Sequence, residues 1–103
     1  MTARADSQFQ LSTMTPGCLG VIGVLDFSSA AAALRAIELA LGDRTVVQLD
    51  LAAVTHADSA GLSCVVAVVS DAARQGRSLA VTHMPAGMKA LAKVSEVDQL
   101  ICA

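Results

Sequence analysis

The order of hydrophobic and polar positions along the chain predicts strands that alternate with helices. Residues 9–14 alternate loosely as a first strand, residues 19–25 predict a second, and the turn-forming sequence Thr15-Pro16-Gly17 lies between them, so we expect an opening hairpin. Residues 26–29 carry side-chain oxygens that can cap a helix, and residues 30–41 then place apolar side chains at helical spacing. The first half is therefore predicted to be two strands and a helix.

The second half of the chain repeats the strand and helix pattern twice. Residues 45–51 have the side chains of a central strand, and residues 59–75 place apolar side chains at helical offsets. Residues 78–83 predict another strand, and a further helix is expected to start beside Pro85. The order ββαβαβα, with short connections, predicts an α/β fold in which a mixed β-sheet has helices packed mainly on one face.

Length and composition restrict the kind of protein this can be. The 103 residues support one domain, which we place at residues 8–103, with residues 1–7 as a flexible amino-terminal tail. The hydrophobic content is 54%, but there are only two phenylalanines and no tyrosine or tryptophan, so the core must consist of small aliphatic side chains. The formal charge of −2 argues against a nucleic acid partner, because no basic surface is available to neutralise phosphates.

The sequence signals neither export, nor a membrane span, nor a metal site. Residues 1–13 lack the apolar block of a secretory signal, and charged residues interrupt every apolar region before the ~20 residues that a span requires. Cys18, Cys64 and Cys102 are far apart and odd in number, which indicates neither a disulfide framework nor a zinc site. We therefore expect a cytoplasmic protein with reduced cysteines and no cofactor.

The junction Asp58-Ser59-Ala60-Gly61-Leu62 connects the predicted central strand to the long helix. It places the Ser59 hydroxyl at a helix start, where free backbone N–H groups and the helix dipole favour an added negative charge such as phosphate. A glycine such as Gly61 destabilises a helix by roughly 0.5–1 kcal/mol relative to alanine, which indicates that something approaches the backbone closely. The simpler alternative is that Asp58 and Ser59 only cap the helix.

The long helix is also apolar on a second side, where a solvated helix would carry charged residues. Either another element of the domain covers this strip or another macromolecule does, and pairing of two copies of the chain through it stays open. The junction and the strip together give the candidate partner interface, which consists of Asp58, Ser59, Ala60, Gly61, Cys64, Ala67 and Val68.

The residues give little support for an enzyme. The chain lacks the G-x-x-x-x-G-K pattern of a phosphate-binding loop. Ser59 at a strand-to-helix turn could be a hydrolase nucleophile with His56 or His83 as its base, but such enzymes have a glycine where Ala57 stands. Each histidine is more simply interpreted as a polar cap at a strand end, so we expect a non-enzymatic protein without catalytic or metal-binding residues.

Several segments of the chain resemble the signature of STAS domains, the family named for sulfate transporters and anti-sigma factor antagonists. These segments are Leu49-Asp50-Leu51, Val54, the junction of residues 58–62, and Gly23-Val24-Leu25-Asp26, which resembles the family's turn after the second strand. The resemblance covers nearly the whole chain and implies a STAS-like fold over residues 8–103.

In anti-sigma factor antagonists, a partner kinase phosphorylates the serine of this signature, and phosphorylation blocks binding. The resemblance implies that role for Ser59, with an anti-sigma factor that is a serine kinase as the partner. Val24 stands where the family usually has an acid, and Ala60 stands where many antagonists carry a second serine.

The chain also resembles a second STAS subgroup, the small MlaB-type subunit of a Gram-negative ABC transport system that maintains the lipid asymmetry of the outer membrane. The similarity includes its size and the helix that ends in Leu91-Ala92-Lys93. It implies a cytoplasmic subunit that binds and activates the transporter's ATPase and reaches the inner membrane only through that partner. Cys64, Ala67 and Val68 would then pack against the ATPase, with Ser59 at the rim.

Overall fold

The computed structural model describes residues 9–95, which form a four-stranded mixed sheet and three helices. The strands are β1 (Phe9–Ser12), β2 (Cys18–Leu25), β3 (Gln48–Ala57) and β4 (Ala80–Thr82), and the helices are α1 (Ala30–Ala40), α2 (Ser59–Arg74) and α3 (Ala86–Val94). The predicted ββαβαβα order is confirmed. The tail predicted at residues 1–7 and the third cysteine, Cys102, lie outside the described residues.

The sheet has the strand order β1-β2-β3-β4. β1 and β2 pair antiparallel, from Phe9 opposite Gly23 to Ser12 opposite Gly20, which confirms the opening hairpin. β3 pairs in parallel with both β2 and β4. Because the two parallel connections step across the sheet in the same direction, the right-handed crossover rule places α1 and α2 on the same face.

The core lies between this face of the sheet and the helices, and it is aliphatic as the composition predicts. Its most deeply buried large side chains come from β2, β3 and all three helices, and they are Leu19, Val21, Leu25, Ile37, Leu49, Leu51, Val65, Val68 and Met88. Of the two phenylalanines, Phe9 packs only partly against this cluster and Phe27 is exposed.

β3 differs from the strand predicted at residues 45–51. It begins at Gln48 and continues to Ala57, although residues 52–57 contain alanines and a histidine that favour strands only weakly. This extension pairs with β2, from Ile22 opposite Ala53 to Leu25 opposite Ala57, with irregular register on the way. Pairing with the neighbouring strand therefore outweighs local propensity, and it brings the chain directly to the start of α2.

β4 is shorter than the strand predicted at residues 78–83. It contains only Ala80–Thr82 and forms an edge of the sheet, since it pairs with β3 alone. Ala80 is exposed, and His83 leaves the strand with a positive φ of 56°. The strand ends early because this backbone conformation cannot continue a β-ladder.

Arg77 holds together the loops at the end of the domain opposite to the start of α2. Its guanidinium donates hydrogen bonds to the backbone carbonyls of Leu41, Asp43 and Val46. Leu41 is the C-cap residue of α1, so the arginine supplies a donor to a helix end whose carbonyls otherwise lack partners.

Replacing Arg77 with alanine is expected to lower the free energy of unfolding by about 2 kcal/mol, because part-buried carbonyls lose a charged donor. Urea-induced unfolding measures this loss. Arg44→Ala is the matched control, since Arg44 is exposed and its side chain makes no hydrogen bond or ion pair with another described residue. Equal losses in the two variants would contradict the assigned role.

Candidate protein-docking site

The loops that follow β2 and β3 lie side by side at the carboxyl ends of these parallel strands. Residues 26–29 lead from β2 to α1, and Asp58 leads from β3 into α2. The Asp58 N–H donates to the Leu25 carbonyl at 3.3 Å and joins the two loops. We call residues 26–29 and 58–60 the Ser59 corner. In open sheets with parallel strands, ligands bind outside the carboxyl ends of the strands.

Asp58 organises the Ser59 corner with both of its carboxylate oxygens. Oδ1 accepts hydrogen bonds from the backbone N–H groups of Ala60 at 2.9 Å and Gly61 at 3.1 Å, which caps α2. Oδ2 accepts from the backbone N–H of Phe27 at 3.1 Å, in the other loop. The predicted capping role is confirmed for Asp58, and the same carboxylate fixes the position of one loop against the other.

Asp26 organises the loop before α1. Its Oδ1 accepts hydrogen bonds from the backbone N–H groups of Ser28 and Ser29 and from the Ser28 hydroxyl. These bonds, led by the one from the Ser28 hydroxyl, lower the pKa of the Asp26 carboxyl. Ser29 is the N-cap residue of α1, but its side chain makes no capping bond, because its buried hydroxyl donates to the Val24 carbonyl at 2.8 Å.

The lowered pKa of Asp26 makes its contribution to stability depend on pH. That contribution is complete above the unfolded-state pKa of about 3.9 and is lost as the pH falls through the lower folded-state pKa. The stability difference between wild type and Asp26→Asn is therefore expected to shrink as the pH is lowered from neutrality to about 2, because asparagine keeps an oxygen acceptor without the charge. Urea unfolding across this pH range measures the difference. A difference that is constant or grows on acidification would contradict the assignment.

Ser59 is the first residue of α2, and its side chain is exposed. Its carbonyl accepts a hydrogen bond from the Ser63 hydroxyl at 3.0 Å, whereas its own hydroxyl makes no hydrogen bond with the described residues. Because Asp58 already caps the helix, the hydroxyl of Ser59 is not needed for that purpose. It is available to a partner or to a modifying enzyme.

Gly61 is buried against the end of β2. A Cβ atom at this position would lie 2.1 Å from the carbonyl oxygen of Leu25 and 2.9 Å from its carbonyl carbon. The sequence predicts that something approaches the backbone closely at Gly61, and the structure identifies it as Leu25 in the domain's own sheet. Gly61 sets the position of α2 and offers little surface to a partner.

Cys64 and Val68, two residues of the predicted partner strip, are covered by the domain itself. They are 4% and 1% exposed and belong to the core, where α2 packs beside α1. Burial raises the pKa of the Cys64 thiol to about 11, and Glu38 of α1 adds to the rise. The expectation that these two side chains contact a partner is corrected, because a neighbouring helix covers them. Ala67 is exposed and Ala60 is half-buried, so both remain accessible.

Ser59, Ser63 and Ala67 instead form an exposed ridge along α2, one helical turn apart. The groove between the ridge and α1 has a volume of about 310 Å³, and its lining is Ala30, Ala31, Leu34, Ala60, Ser63, Cys64 and Ala67. The groove toward α3 has a volume of about 280 Å³, and its lining is Ser59, Leu62, Ser63, Val66, Ala67 and Ser95.

Within residues 9–95, both grooves are lined by small or aliphatic side chains and serines, and none of these lining residues is charged. Such a surface fits a protein partner better than a phosphorylated small molecule, which would require cationic or backbone donors. Sequence reasoning missed Ser63 and Val66. Ser63 could have been found from its spacing, because a residue four positions after Ser59 lies on the same face of the helix.

Neither histidine bonds to Ser59 within the described residues. His83 contacts Asp50, with 3.0 Å between Nδ1 and Oδ1. His56 is exposed on β3, and within the described residues neither ring bonds to the Ser59 hydroxyl. Over residues 9–95 no three His, Cys, Asp or Glu side chains are grouped so as to hold a metal ion. In that part of the chain no helix has both the length and the apolar character to cross a membrane.

A family model for the MlaB STAS domain matches residues 9–102. The chain belongs to the MlaB-type STAS family. No curated protein sequence matches the chain. Membership of the STAS family agrees with the mixed sheet and with the exposed serine that begins α2.

Solved structures of SpoIIAA share the STAS fold of this chain. The anti-sigma factor antagonist SpoIIAA in its unphosphorylated form has a TM-score of 0.67 and 15% sequence identity, over 90% of this chain and 84% of that chain. The Bacillus cell fate determinant SpoIIAA in the phosphorylated form has a TM-score of 0.64 and 16% identity, over 90% of this chain and 87% of that chain. At these identities the likeness establishes the fold alone.

Proposed function

We propose that the chain is a non-enzymatic, cytoplasmic STAS subunit that binds and regulates the ATPase of a phospholipid-trafficking ABC transporter, in a system that maintains outer-membrane lipid asymmetry. The observation that carries this proposal is the match of residues 9–102 to the MlaB-type family. The chain reaches the inner membrane only through the ATPase. No cofactor takes part.

The Ser59 corner and the adjoining ridge of α2 are the docking surface in this proposal. Asp58 accepts hydrogen bonds from both loops of the corner, and Asp26 accepts hydrogen bonds within its own loop. These bonds support the proposal, because a surface that is already ordered loses little entropy on binding. The two grooves beside Ser63 and Ala67 also support it, because their described lining residues are uncharged and the centres of protein interfaces are depleted in charged residues.

Purification of the tagged chain from its source cell, followed by an ATPase assay, tests the proposal. We expect an ABC ATPase with its membrane subunits to copurify, and the purified ATPase to hydrolyse ATP faster when the chain is added. An ATPase that forms no complex with the chain and keeps the same rate would contradict the proposal.

The second candidate function is an anti-sigma factor antagonist that is switched by phosphorylation of Ser59. The exposed Ser59 hydroxyl, which bonds to no described residue, and the fold shared with SpoIIAA favour this candidate. Its partner would be an anti-sigma factor that is a serine kinase. Copurification of such a kinase, together with phosphate on the Ser59 peptide by mass spectrometry, would favour it over the transporter role.

A further inference from the structure

Phe27 lies in the Ser59 corner with 86% of its surface exposed. It is one of only two phenylalanines in a chain without tyrosine or tryptophan. Burying a phenylalanine side chain would stabilise a fold by about 1.5–3 kcal/mol. The Phe27 ring stays exposed and does not stabilise the domain in this way. A large exposed aromatic group in a chain so poor in aromatic residues therefore calls for a role outside the domain core.

The backbone of Phe27 is held in place although its ring packs on little. The Phe27 N–H donates to the Asp58 carboxylate at 3.1 Å. The next two residues, Ser28 and Ser29, bond through their N–H groups to the Asp26 carboxylate at 3.0 and 3.2 Å. The ring therefore projects from an ordered loop, which limits the backbone entropy that binding would remove.

Phe27 is continuous with the proposed docking surface. Asp58, which bonds to its backbone, is the neighbour of Ser59. Ala30 and Ala31, which follow Phe27 closely in sequence, line the apolar groove between α1 and α2. The aromatic ring, the groove and the Ser59 hydroxyl therefore belong to one surface.

We propose that Phe27 is the aromatic anchor of partner binding and that it inserts into an apolar pocket on the ATPase. This inference rests on the proposed function and deepens it by naming the side chain that supplies affinity. Most of the binding energy of a protein interface comes from a few large side chains in desolvated pockets. The ridge of Ser59, Ser63 and Ala67 offers only small side chains, so Phe27 is the large apolar group of the corner.

Calorimetric titration of the purified ATPase subunit with Phe27→Ala tests the anchor. We expect the dissociation constant to rise about 30-fold or more, the loss typical of a hot-spot residue. Leu39→Ala is the matched control, because Leu39 is 78% exposed but lies about 14 Å along α1 from its first residue, Ala30. The dissociation constant of this variant should stay within about twofold of wild type. Thermal unfolding should be the same for the wild type and both variants, because each removes an exposed side chain.

A fluorescence measurement tests burial of the same position directly. The chain contains no tryptophan, so Phe27→Trp introduces a single reporter. After the signal of the ATPase mixed with wild type is subtracted, the emission of Phe27→Trp should shift to shorter wavelength on binding. The emission of Leu39→Trp should not shift.

The outcomes separate the anchor from the proposed function. If Phe27→Ala binds within about twofold of wild type while Ser59→Asp loses binding, the anchor is overturned and the docking site stands. If wild type itself does not bind the ATPase, the proposed function is overturned together with the anchor. A loss of affinity in Phe27→Ala that is absent in Leu39→Ala, together with the emission shift, supports the anchor.

Discussion

Replacing Gly61 with alanine is expected to lower the free energy of unfolding by about 3 kcal/mol, at the upper end of what overpacking costs. The new methyl group would lie 2.1 Å from the Leu25 carbonyl oxygen, and the contacted atoms are backbone, so no flexible side chain can move aside. Either the end of β2 or the start of α2 must shift. That shift would disturb the bond between the Asp58 N–H and the Leu25 carbonyl.

Gly87→Ala is the matched control for this prediction. Gly87 is also a helical glycine, in α3, but a Cβ atom there would meet nothing within 4 Å. Alanine should therefore be neutral or stabilise the domain by up to about 1 kcal/mol through its better helix propensity. Urea unfolding of the two variants side by side measures both effects. Equal effects of the two substitutions would show that the contact with Leu25 is not the reason why position 61 requires glycine.

Ser59→Asp is expected to weaken binding of the ATPase about 30-fold or more, because an interface fitted to a neutral hydroxyl would have to bury an unpaired carboxylate. The added charge would also lie beside Asp58, whose carboxylate already occupies the helix start. The same loss is expected with an anti-sigma factor as the partner, where the aspartate imitates part of the charge of a phosphate. Titration calorimetry with the purified partner measures the effect.

Two variants control for general effects of the substitution. Ser59→Ala removes the hydroxyl without adding charge and should bind within a few-fold of wild type. Ser78→Asp adds the same charge at an exposed position in the loop before β4, away from the Ser59 corner, and should bind as wild type does. Unchanged affinity of Ser59→Asp would mean that Ser59 does not lie in the interface.

The order of the elements could be predicted from sequence because it depends on local signals. The apolar run of residues 19–25, the turn at residues 15–17 and the helical spacing after Ser59 each identify one element with little help from the rest of the chain. The extension of β3 to Ala57 depends instead on pairing with β2, which brings together residues about 30 positions apart. Propensity over residues 52–57 does not predict that pairing, because Val54 and Thr55 favour a strand but the three alanines do not.

The candidate site could be predicted only in part, for a similar reason. Capping of α2 by Asp58 can be predicted, because capping is a contact between near neighbours, and the structure confirms it. Its second bond reaches back 31 residues to Phe27 and has no local signature. Cys64 and Val68 lie on the second apolar side of α2, and the structure buries both within the domain. The sequence pattern would be the same if another protein covered them, so it does not distinguish the two cases.

Hydrogen–deuterium exchange of the chain, alone and in complex with the ATPase, tests most directly whether the Ser59 corner is a docking site. We expect amide exchange to slow on complex formation at residues 26–31 and 59–67, while exchange at β4 and at the loop around Arg77 stays the same. Slower exchange confined to β4, β1 or the Arg77 loop, with no change at residues 26–31 and 59–67, would contradict the account.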